Sequence, residues 1–302
     1  RQCVKQAGIA LDAYGIQLLA APQIASLQQR LSQRGMSEVD RFRAAMTLYE
    51  NYLHGRIAAD SLVQTMLRAV EREDNPLVAT SVLPYASDRG VGECKLLDLS
   101  RHHSLRGVRT SSLRYLSTSA QSEAVLDSMF VEWQQGDNPL LTVNDWMRAT
   151  YHLAQYLPSK RQEILSRQRA RLATDDARAE FDFVSRGCDT TPSVQDSLFA
   201  SLLQVENRRV EPWAAQLLSL LNDPISEPHN NRFLLPALDA LEEVQRTSAI
   251  FFPGDWLAAL LSHHRSEEAR ALVSDWITRH PDYPAPLMNK VKQNAYRLLL
   301  GR

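Results

Sequence analysis

The histidines are the residues of this sequence best suited to metal or acid–base chemistry. The chain has eight of them: His54, His102, His103, His152, His229, His263, His264 and His280. None is followed by Glu and no two are four apart, so the His-Glu-x-x-His arrangement that places two imidazoles around zinc on one helix face is absent. The adjacent pairs His102-His103 and His263-His264 would point their rings about 100° apart on a helix. We interpret both pairs as surface or loop histidines.

Other motifs that support catalysis are also missing from the sequence. Gly90-x-Gly92 lacks the third Gly of a dinucleotide-binding loop and the Lys of a phosphate-binding loop, so it is interpreted as a turn. No Gly-x-Ser-x-Gly nucleophile elbow occurs. Cys3, Cys94 and Cys188 are far apart and form no Cys-x-x-Cys pair, which favours neither a disulfide framework nor a zinc knuckle. The sequence therefore predicts no catalytic, cofactor-binding or metal-binding residue in this chain.

The most conspicuous charge feature is the stretch 160–178. It carries Lys160, Arg161, Arg167, Arg169, Arg171 and Arg178, interleaved with Glu163, Asp175 and Asp176. Guanidinium groups at helical spacing can match nucleic-acid phosphates, but the acidic neighbours partly cancel the field and few aromatic residues interleave. A solvated helix face with local ion pairs is favoured. The whole chain carries 34 basic and 35 acidic side chains, a formal net charge of −1, which gives no general attraction to nucleic acid or anionic membranes. Neither partner is predicted, and no apolar run approaches the ~18 residues of a membrane helix.

Two further groups of residues are assigned structural roles. The carboxylate pairs are interpreted as solvent-facing: Glu242-Glu243 and Glu267-Glu268. Four tryptophans lie within apolar stripes and are predicted to be core residues: Trp146, Trp213, Trp256 and Trp276.

The elements that would carry these side chains are amphipathic helices. The strongest pattern runs from Ser37 to Gly55, with Ser37 as the N-cap, Asp40 completing an approximate capping box, and Gly55 at a left-handed stop. The apolar residues that recur three or four apart predict its buried face: Val39, Phe42, Met46, Tyr49 and Leu53.

Further helix starts are marked by capping residues and prolines. Asp60 is predicted to open a second helix with the buried stripe Leu62, Val63, Met66, Leu67 and Val70, and Asn75-Pro76 a third. The same pair of a capping residue followed by proline recurs, mostly beside amphipathic stretches of one to four turns, at Asn138-Pro139, Thr191-Pro192, Glu211-Pro212 and Asp223-Pro224. Two of these stretches are Val194, Leu198, Leu202 and Val205, and Trp213, Leu217, Leu220 and Leu221.

This pattern predicts an all-α protein. Only 11 of 302 residues are glycine, and no sustained strand-type alternation follows residue 20. Short helices on short loops stabilise one another by stacking, so we predict an α-solenoid of antiparallel helix pairs over residues 21–302, without a fixed repeat period. A closed irregular helical bundle is the alternative. Residues 1–20, with the apolar run after Tyr14-Gly15, are predicted to be a linker or a strand tail from a preceding domain, with an N-terminal helix as the alternative.

Three parts of the chain carry a resemblance to a known family. Residues 41–55 (RFRAAMTLYENYLHG) resemble the "lyEnyl.G" helix in the carboxy-terminal helical domain of bacterial zinc aminopeptidases of the aminopeptidase N family. Residues 178–185, 199–203 and 209–213 are similar to the middle of that domain. Residues 251–257, 265–266, 280–284 and 289–290 are similar to its C-terminal signature. The segments occur in the family's order and together cover nearly the whole chain.

The resemblance implies a HEAT/ARM-like helical domain of a four-part parent enzyme. The other parts would be an N-terminal β domain, a thermolysin-like zinc domain and a small β-sandwich, whose end is similar to the Tyr14-Gly15 stretch. Zinc and the catalytic His-Glu-x-x-His would belong to the zinc domain, so this chain alone is expected to lack peptidase activity. In the family the helical domain closes over the zinc cleft, walls off a chamber and helps restrict cleavage to free N-terminal residues. Some members use Arg or Lys of this domain to hold the peptide C-terminus, but no motif assigns that role to a residue here.

The expected function is therefore that of a non-catalytic, substrate-enclosing domain. Its expected partners are the catalytic zinc domain of the same polypeptide and the peptide substrates of the parent. Two other hypotheses are a stand-alone helical-repeat scaffold for protein–protein interaction and a nucleic-acid binder using residues 160–178. The sequence starts at Arg1 without Met, which suggests a fragment, so any targeting signal would lie elsewhere and no compartment is predicted.

Overall fold

The computed structural model describes residues 16–301, apart from positions 32, 34 and 87–89. Within these residues the secondary structure consists of 18 α-helices and six short 3₁₀ helices, with no β-strand. The all-α prediction is confirmed. The chain divides into two compact units, Arg1–Ala149 and Thr150–Arg302, which are described separately.

The first unit is built from the helices at the start of the chain. Their bounds are α1 Ala21–Leu31, α2 Glu38–Leu53, α3 Ala59–Arg72, α4 Pro76–Val82, α5 Glu93–His102, α6 Arg106–Ser119, α7 Glu123–Gln135 and the first part of α8 Val143–Tyr156. Helices α1, α2 and α3 pack on one another, α4 packs on α2, α3 and α6, and α7 packs on α5 and α6. Because each helix contacts its near neighbours in sequence, the packing is solenoid-like.

The second unit contains the remaining helices. They are α9 Arg161–Arg171, α10 Asp175–Val184, α11 Pro192–Leu202, α12 Glu211–Leu221, α13 Leu234–Asp239, α14 Leu241–Thr247, α15 Phe252–Leu261, α16 Glu267–Arg279, α17 Ala285–Asn294 and α18 Tyr296–Leu299. Helix α12 packs on α10, α11 and α15, helix α15 on α13, α14 and α17, and helix α16 on α13 and α18. The neighbouring-pair arrangement predicted from the sequence is thus present here too.

Local capping chemistry fixes several helix ends as predicted. Ser37 caps α2 by accepting a hydrogen bond from the Asp40 N–H, and Gly55 adopts a left-handed φ of 72° after its C-terminus. The Gly55 N–H donates to the Tyr52 carbonyl at 2.9 Å and the Arg56 N–H to the Asn51 carbonyl at 2.8 Å, which is the Schellman arrangement.

Three further predicted helix starts can be compared with the structure. Asn75 caps α4 through the N–H groups of the two residues that follow Pro76. The helix start predicted at Asp60 is confirmed to within one residue, since α3 begins at Ala59 and the Asp60 carboxylate lies in its first turn. Asn138-Pro139 forms a turn rather than a helix start.

The predicted buried face of α2 is wrong for three of its five residues, while Leu53 is buried as predicted and Tyr49 is half-buried. Val39, Phe42 and Met46 are exposed, whereas the buried residues are Ala44, Ala45, Thr47, Leu48, Asn51, Tyr52 and Leu53. Small residues let α2 approach its neighbours closely, so the face carrying Ala44 and Ala45 enters the core. The stripe predicted for α3, from Leu62 to Val70, is confirmed as buried.

The tryptophan predictions are confirmed for two of the four residues. Trp256 and Trp276 are buried in the core of the second unit, where their indole N–H groups donate to the Ala237 carbonyl at 3.1 Å and to Asp239 Oδ1 at 2.7 Å. Trp146 and Trp213 are only half-buried. Trp133, which was not singled out, is buried in the first unit.

The N-terminal segment lies partly outside the described residues, as do Tyr14 and Gly15. Residues 16–20 have no regular secondary structure. They are held by side chains: the Leu19 N–H donates to Asn51 Oδ1 at 2.8 Å, and Asn51 Nδ2 donates to the Gln17 carbonyl at 2.9 Å. The side-chain amide of Asn51 therefore makes two hydrogen bonds with the backbone of this segment.

Candidate functional site

An exposed apolar tip is the most conspicuous surface feature of the second unit. Ile250 and Phe251 are 71% and 81% exposed, although the next residue, Phe252, is almost fully buried in the core. Val210, which precedes α12, is also exposed. We call Val210, Ile250 and Phe251 the apolar tip. Large apolar side chains held in water in this way mark surfaces that bind another molecule.

Three polar contacts hold the two chain segments that carry the tip. The Ala249 N–H donates to Glu211 Oε1 at 2.7 Å, which joins the residue before Ile250 to the start of α12. Arg208 is buried, donates to the Leu202 carbonyl and to Glu243 on α14, and lies 5.6 Å from the Trp256 ring centroid. Because these anchors are packed or paired, the tip is fixed on a rigid base.

Two arginines flank the tip. Arg209 precedes Val210, and Arg246 lies in the last turn of α14. Both are exposed, and neither forms an ion pair with any residue that the structure describes. The apolar tip therefore has exposed positive charge close to it in the chain, a composition that suits a protein surface with an apolar pocket and carboxylates.

A second exposed apolar surface lies on α2 in the first unit. It consists of Val39, Phe42 and Met46, the residues that the sequence pattern placed in the core. Spaced three and four apart, they occupy one face of the helix. The apolar stripe seen in the sequence therefore exists, but it faces solvent.

The first unit also contains a cleft of about 950 Å³. It is lined by the ends of α1 and α3 and by the loop after α5, and its residues include Arg41, Glu71, Glu73 and His103. Arg41 forms a two-pronged ion pair with Glu73, with N–O distances of 2.7 and 2.6 Å, and Glu71 accepts from Lys95 at 2.8 Å. These charged side chains of the cleft are thus paired with other side chains of the protein. The cleft could accommodate a ligand by its shape, but these side chains are not free to react with one.

His264 lies at the centre of a buried polar network in the second unit. Its Nε2 is 2.9 Å from Asn222 Oδ1, and its Nδ1 is 3.1 Å from Asn231 Oδ1 and 3.8 Å from Glu227 Oε1. The close approach of His264, opposed by partial burial and aided by hydrogen bonds from Ser266, lowers the pKa of Glu227 to about 2. The network joins the end of α12, the loop that follows it and the start of α16.

The histidine predictions need one correction. His102, at the end of α5, and His263, in the loop after α15, are exposed as predicted. His103 and His264 lie in loops but are buried. His103 caps its own loop by accepting the Leu105 N–H at 3.1 Å. The partners of His264 could not be predicted from its sequence neighbours, because Asn231 and Asn222 are 33 and 42 residues away.

The basic stretch forms α9, α10 and their flanks, and its arginines are engaged locally. Arg169 forms a two-pronged ion pair with Asp182, and Arg178 pairs with Asp175. Arg161 donates to the Ala154 carbonyl, to Asp189 and to Thr190. These bonds favour the solvated-face interpretation over an array of free guanidinium groups.

The remaining predicted features have ordinary structural roles. Gly90 and Gly92 form the predicted turn with φ of 84° and 90°. Glu242, Glu267 and Glu268 are exposed as predicted, and Glu268 also accepts a hydrogen bond from Asn231, whereas Glu243 is half-buried against Arg208. Cys188 is fully buried, and burial raises the pKa of its thiol.

No protein-family model matches the chain, and no curated protein matches it significantly. Among the described residues, no group of three or more His, Cys, Asp or Glu side chains is arranged to hold a metal ion. None of the helices described is both long and apolar enough to cross a bilayer.

Proposed function

We propose that this chain is a non-catalytic helical domain of a zinc-dependent aminopeptidase, which closes over the active-site cleft of the catalytic domain. The proposal is supported by the resemblance of three ordered segments to the aminopeptidase N family and by the all-α, neighbour-packed architecture. Its role is to shape the chamber that peptides enter, so that only chain ends reach the zinc.

One observation carries the proposal: Phe251, the most exposed residue of the apolar tip, lies inside the segment with the C-terminal resemblance. In residues 251–257, Phe252, Trp256 and Leu257 are buried and account for the segment's part in the fold. Phe251 is 81% exposed, so packing in the core of this domain does not explain a large aromatic side chain at this position. A partner surface does give a reason, since aromatic side chains are common anchors of protein interfaces.

The mechanism is steric and electrostatic. A helical domain docked on a catalytic domain limits the size and direction of the peptide that enters, and arginine side chains on its surface attract peptide carboxylates. Zinc and the groups that polarise the peptide bond would be supplied by the catalytic domain, with this chain contributing none of them.

Binding between this chain and the separately produced zinc domain of the parent tests the proposal. Phe251→Ser should raise the Kd about 30-fold, because an aromatic anchor contributes about 2 kcal/mol. Leu77→Ser is the matched control: Leu77 is a 76% exposed apolar residue of the first unit and is not part of the apolar tip. It should leave the Kd within about twofold. Absence of binding by the unaltered chain, or equal effects of the two variants, would contradict the proposal.

A stand-alone scaffold that binds a protein partner is the second candidate, favoured by the same exposed tip. The coding sequence ahead of Arg1 separates the two. A His-Glu-x-x-His motif a few hundred residues upstream supports the aminopeptidase, whereas an immediate start codon supports the scaffold.

A further inference from the structure

The hydrogen bonds around His264 define which atoms donate and which accept. Asn222 Nδ2 donates to the Leu218 carbonyl at 2.9 Å, so the Asn222 atom that faces His264 Nε2 is its amide oxygen. Asn231 Nδ2 donates to Glu268 Oε2 at 2.9 Å, so the atom that faces His264 Nδ1 is again an amide oxygen. Turning either amide over would point an NH₂ group at the ring and an oxygen at an acceptor. Both amide orientations are therefore fixed by partners other than His264.

An amide oxygen can only accept a hydrogen bond. Both ring nitrogens of His264 lie at hydrogen-bond distance from such oxygens, and the ring is buried. A neutral imidazole has one N–H and one lone pair, so it could satisfy only one of the two. We infer that His264 is held in the folded protein as an imidazolium with a proton on each ring nitrogen, and that this buried cation locks the loop between α12 and α13 to the start of α16.

A carboxylate lies beside the His264 ring and offsets the positive charges of the same segment. Glu227 Oε1 lies 3.8 Å from His264 Nδ1 and also accepts the Ser266 N–H at 3.2 Å. Glu268 does not contact the ring itself but accepts a hydrogen bond from Asn231, whose amide oxygen contacts His264 Nδ1. The chain neighbours of His264 are His263 and Arg265, and Asp223 and Arg297 act on this segment electrostatically. Glu227 is thus the nearest counter-ion, and an unpaired buried cation would be costly without it.

Loss of one proton would convert an attraction into a repulsion. The ring would present a lone pair to an amide oxygen, and a buried acceptor would lose its partner. Asn222 caps the end of α12 and Asn231 lies in the 3₁₀ turn before α13, so the connection between them would loosen while the helices persist. This lock goes beyond the proposed function and does not depend on it, because every residue involved belongs to the second unit.

Nitrogen-15 NMR of the unaltered chain, labelled at histidine, tests the charge state directly. An ordinary exposed histidine, with a pKa of about 6.5, is mostly neutral at pH 7.5. At that pH His264 should show two protonated ring nitrogens, with its signals assigned by their loss in His264→Gln. A lone-pair nitrogen signal from His264 at pH 7.5 would overturn the inference.

Amide hydrogen exchange tests the role of the lock. Glu227→Gln removes the counter-ion, and exchange of the loop amides at positions 225–231 should rise about tenfold at pH 7.5 as the loop opens locally. Glu268→Gln is the matched control, because it removes the same charge but keeps an oxygen that can accept from Asn231. It should change the same rates less than about twofold. Equal exchange in the two variants would overturn the role assigned to the imidazolium.

Discussion

Replacing Glu93 should destabilise the first unit more than any change of an exposed carboxylate. Glu93 lies at the start of α5, and its side chain is almost fully buried. It accepts three hydrogen bonds from the N-terminus of α7: from the Gln121 N–H at 2.8 Å, the Ser122 N–H at 2.9 Å and the Ser122 hydroxyl at 2.7 Å. One helix therefore supplies the cap of another, and the bond pattern links α5 to α7.

The magnitude follows from these three bonds. Each is worth about 1 kcal/mol net, so Glu93→Ala should lower the free energy of unfolding by about 3 kcal/mol. Glu93→Gln keeps one acceptor oxygen but turns an NH₂ group towards backbone donors, and it should cost about 2 kcal/mol. Glu123→Ala is the control, since Glu123 is an exposed acidic residue in the first turn of the same helix and should cost less than about 1 kcal/mol.

Urea unfolding followed by circular dichroism gives these differences, and hydrogen exchange locates them. Exchange should accelerate first in the amides at the start of α7. The reasoning would be refuted if Glu93→Ala and Glu123→Ala had the same unfolding midpoint, or if exchange rose equally throughout the unit.

Three other outcomes are expected. Gly92→Ala should cost about 1–3 kcal/mol, because a Cβ would lie 2.6 Å from the Ala86 carbonyl oxygen at a φ of 90°; an unchanged urea midpoint would contradict this. The pKa of Glu227 is lowered from 4.5 to about 2, so its contribution to stability is complete above pH 4.5 and is lost as the pH falls towards 2. Acid titration should show a smaller loss in that window for Glu227→Gln, and an identical acid transition would argue against it. Finally, the chain should not be retained on heparin at low salt, because the arginines of residues 160–178 are paired locally; retention that falls steeply with salt would favour nucleic-acid binding.

Local chemistry was predictable from the sequence where a few adjacent residues decide it. The Ser37 cap, the Gly55 stop and the Asn75-Pro76 start each depend on side chains within four positions, and the structure confirms all three. The buried stripe of α3 was also predicted, because that helix has a single apolar face.

The orientation of α2 was not predictable in the same way. This helix has two faces that can be buried, one with large apolar residues such as Phe42 and one with Ala44, Ala45 and Leu48. Apolar periodicity favours the first face, whereas close packing against neighbouring helices selects the second. A single sequence does not contain the shape of those neighbours.

The His264 network was missed for a related reason. His264 meets Asn222 and Asn231 only after α12, the following loop and α15 have been placed. Asparagine and histidine at these separations carry no spacing signal. The apolar tip was likewise hidden, since Phe251 and Phe252 are adjacent and identical in type, yet one is exposed and the other is core.

The central claim is that this chain shapes a neighbour's peptide chamber and does not itself cleave peptides. The most direct test is hydrolysis of aminoacyl-anilide substrates with added zinc, by this chain alone and by the full-length parent polypeptide. The account predicts zinc-dependent turnover by the parent and none by the chain. Zinc-dependent turnover by the chain alone would contradict it.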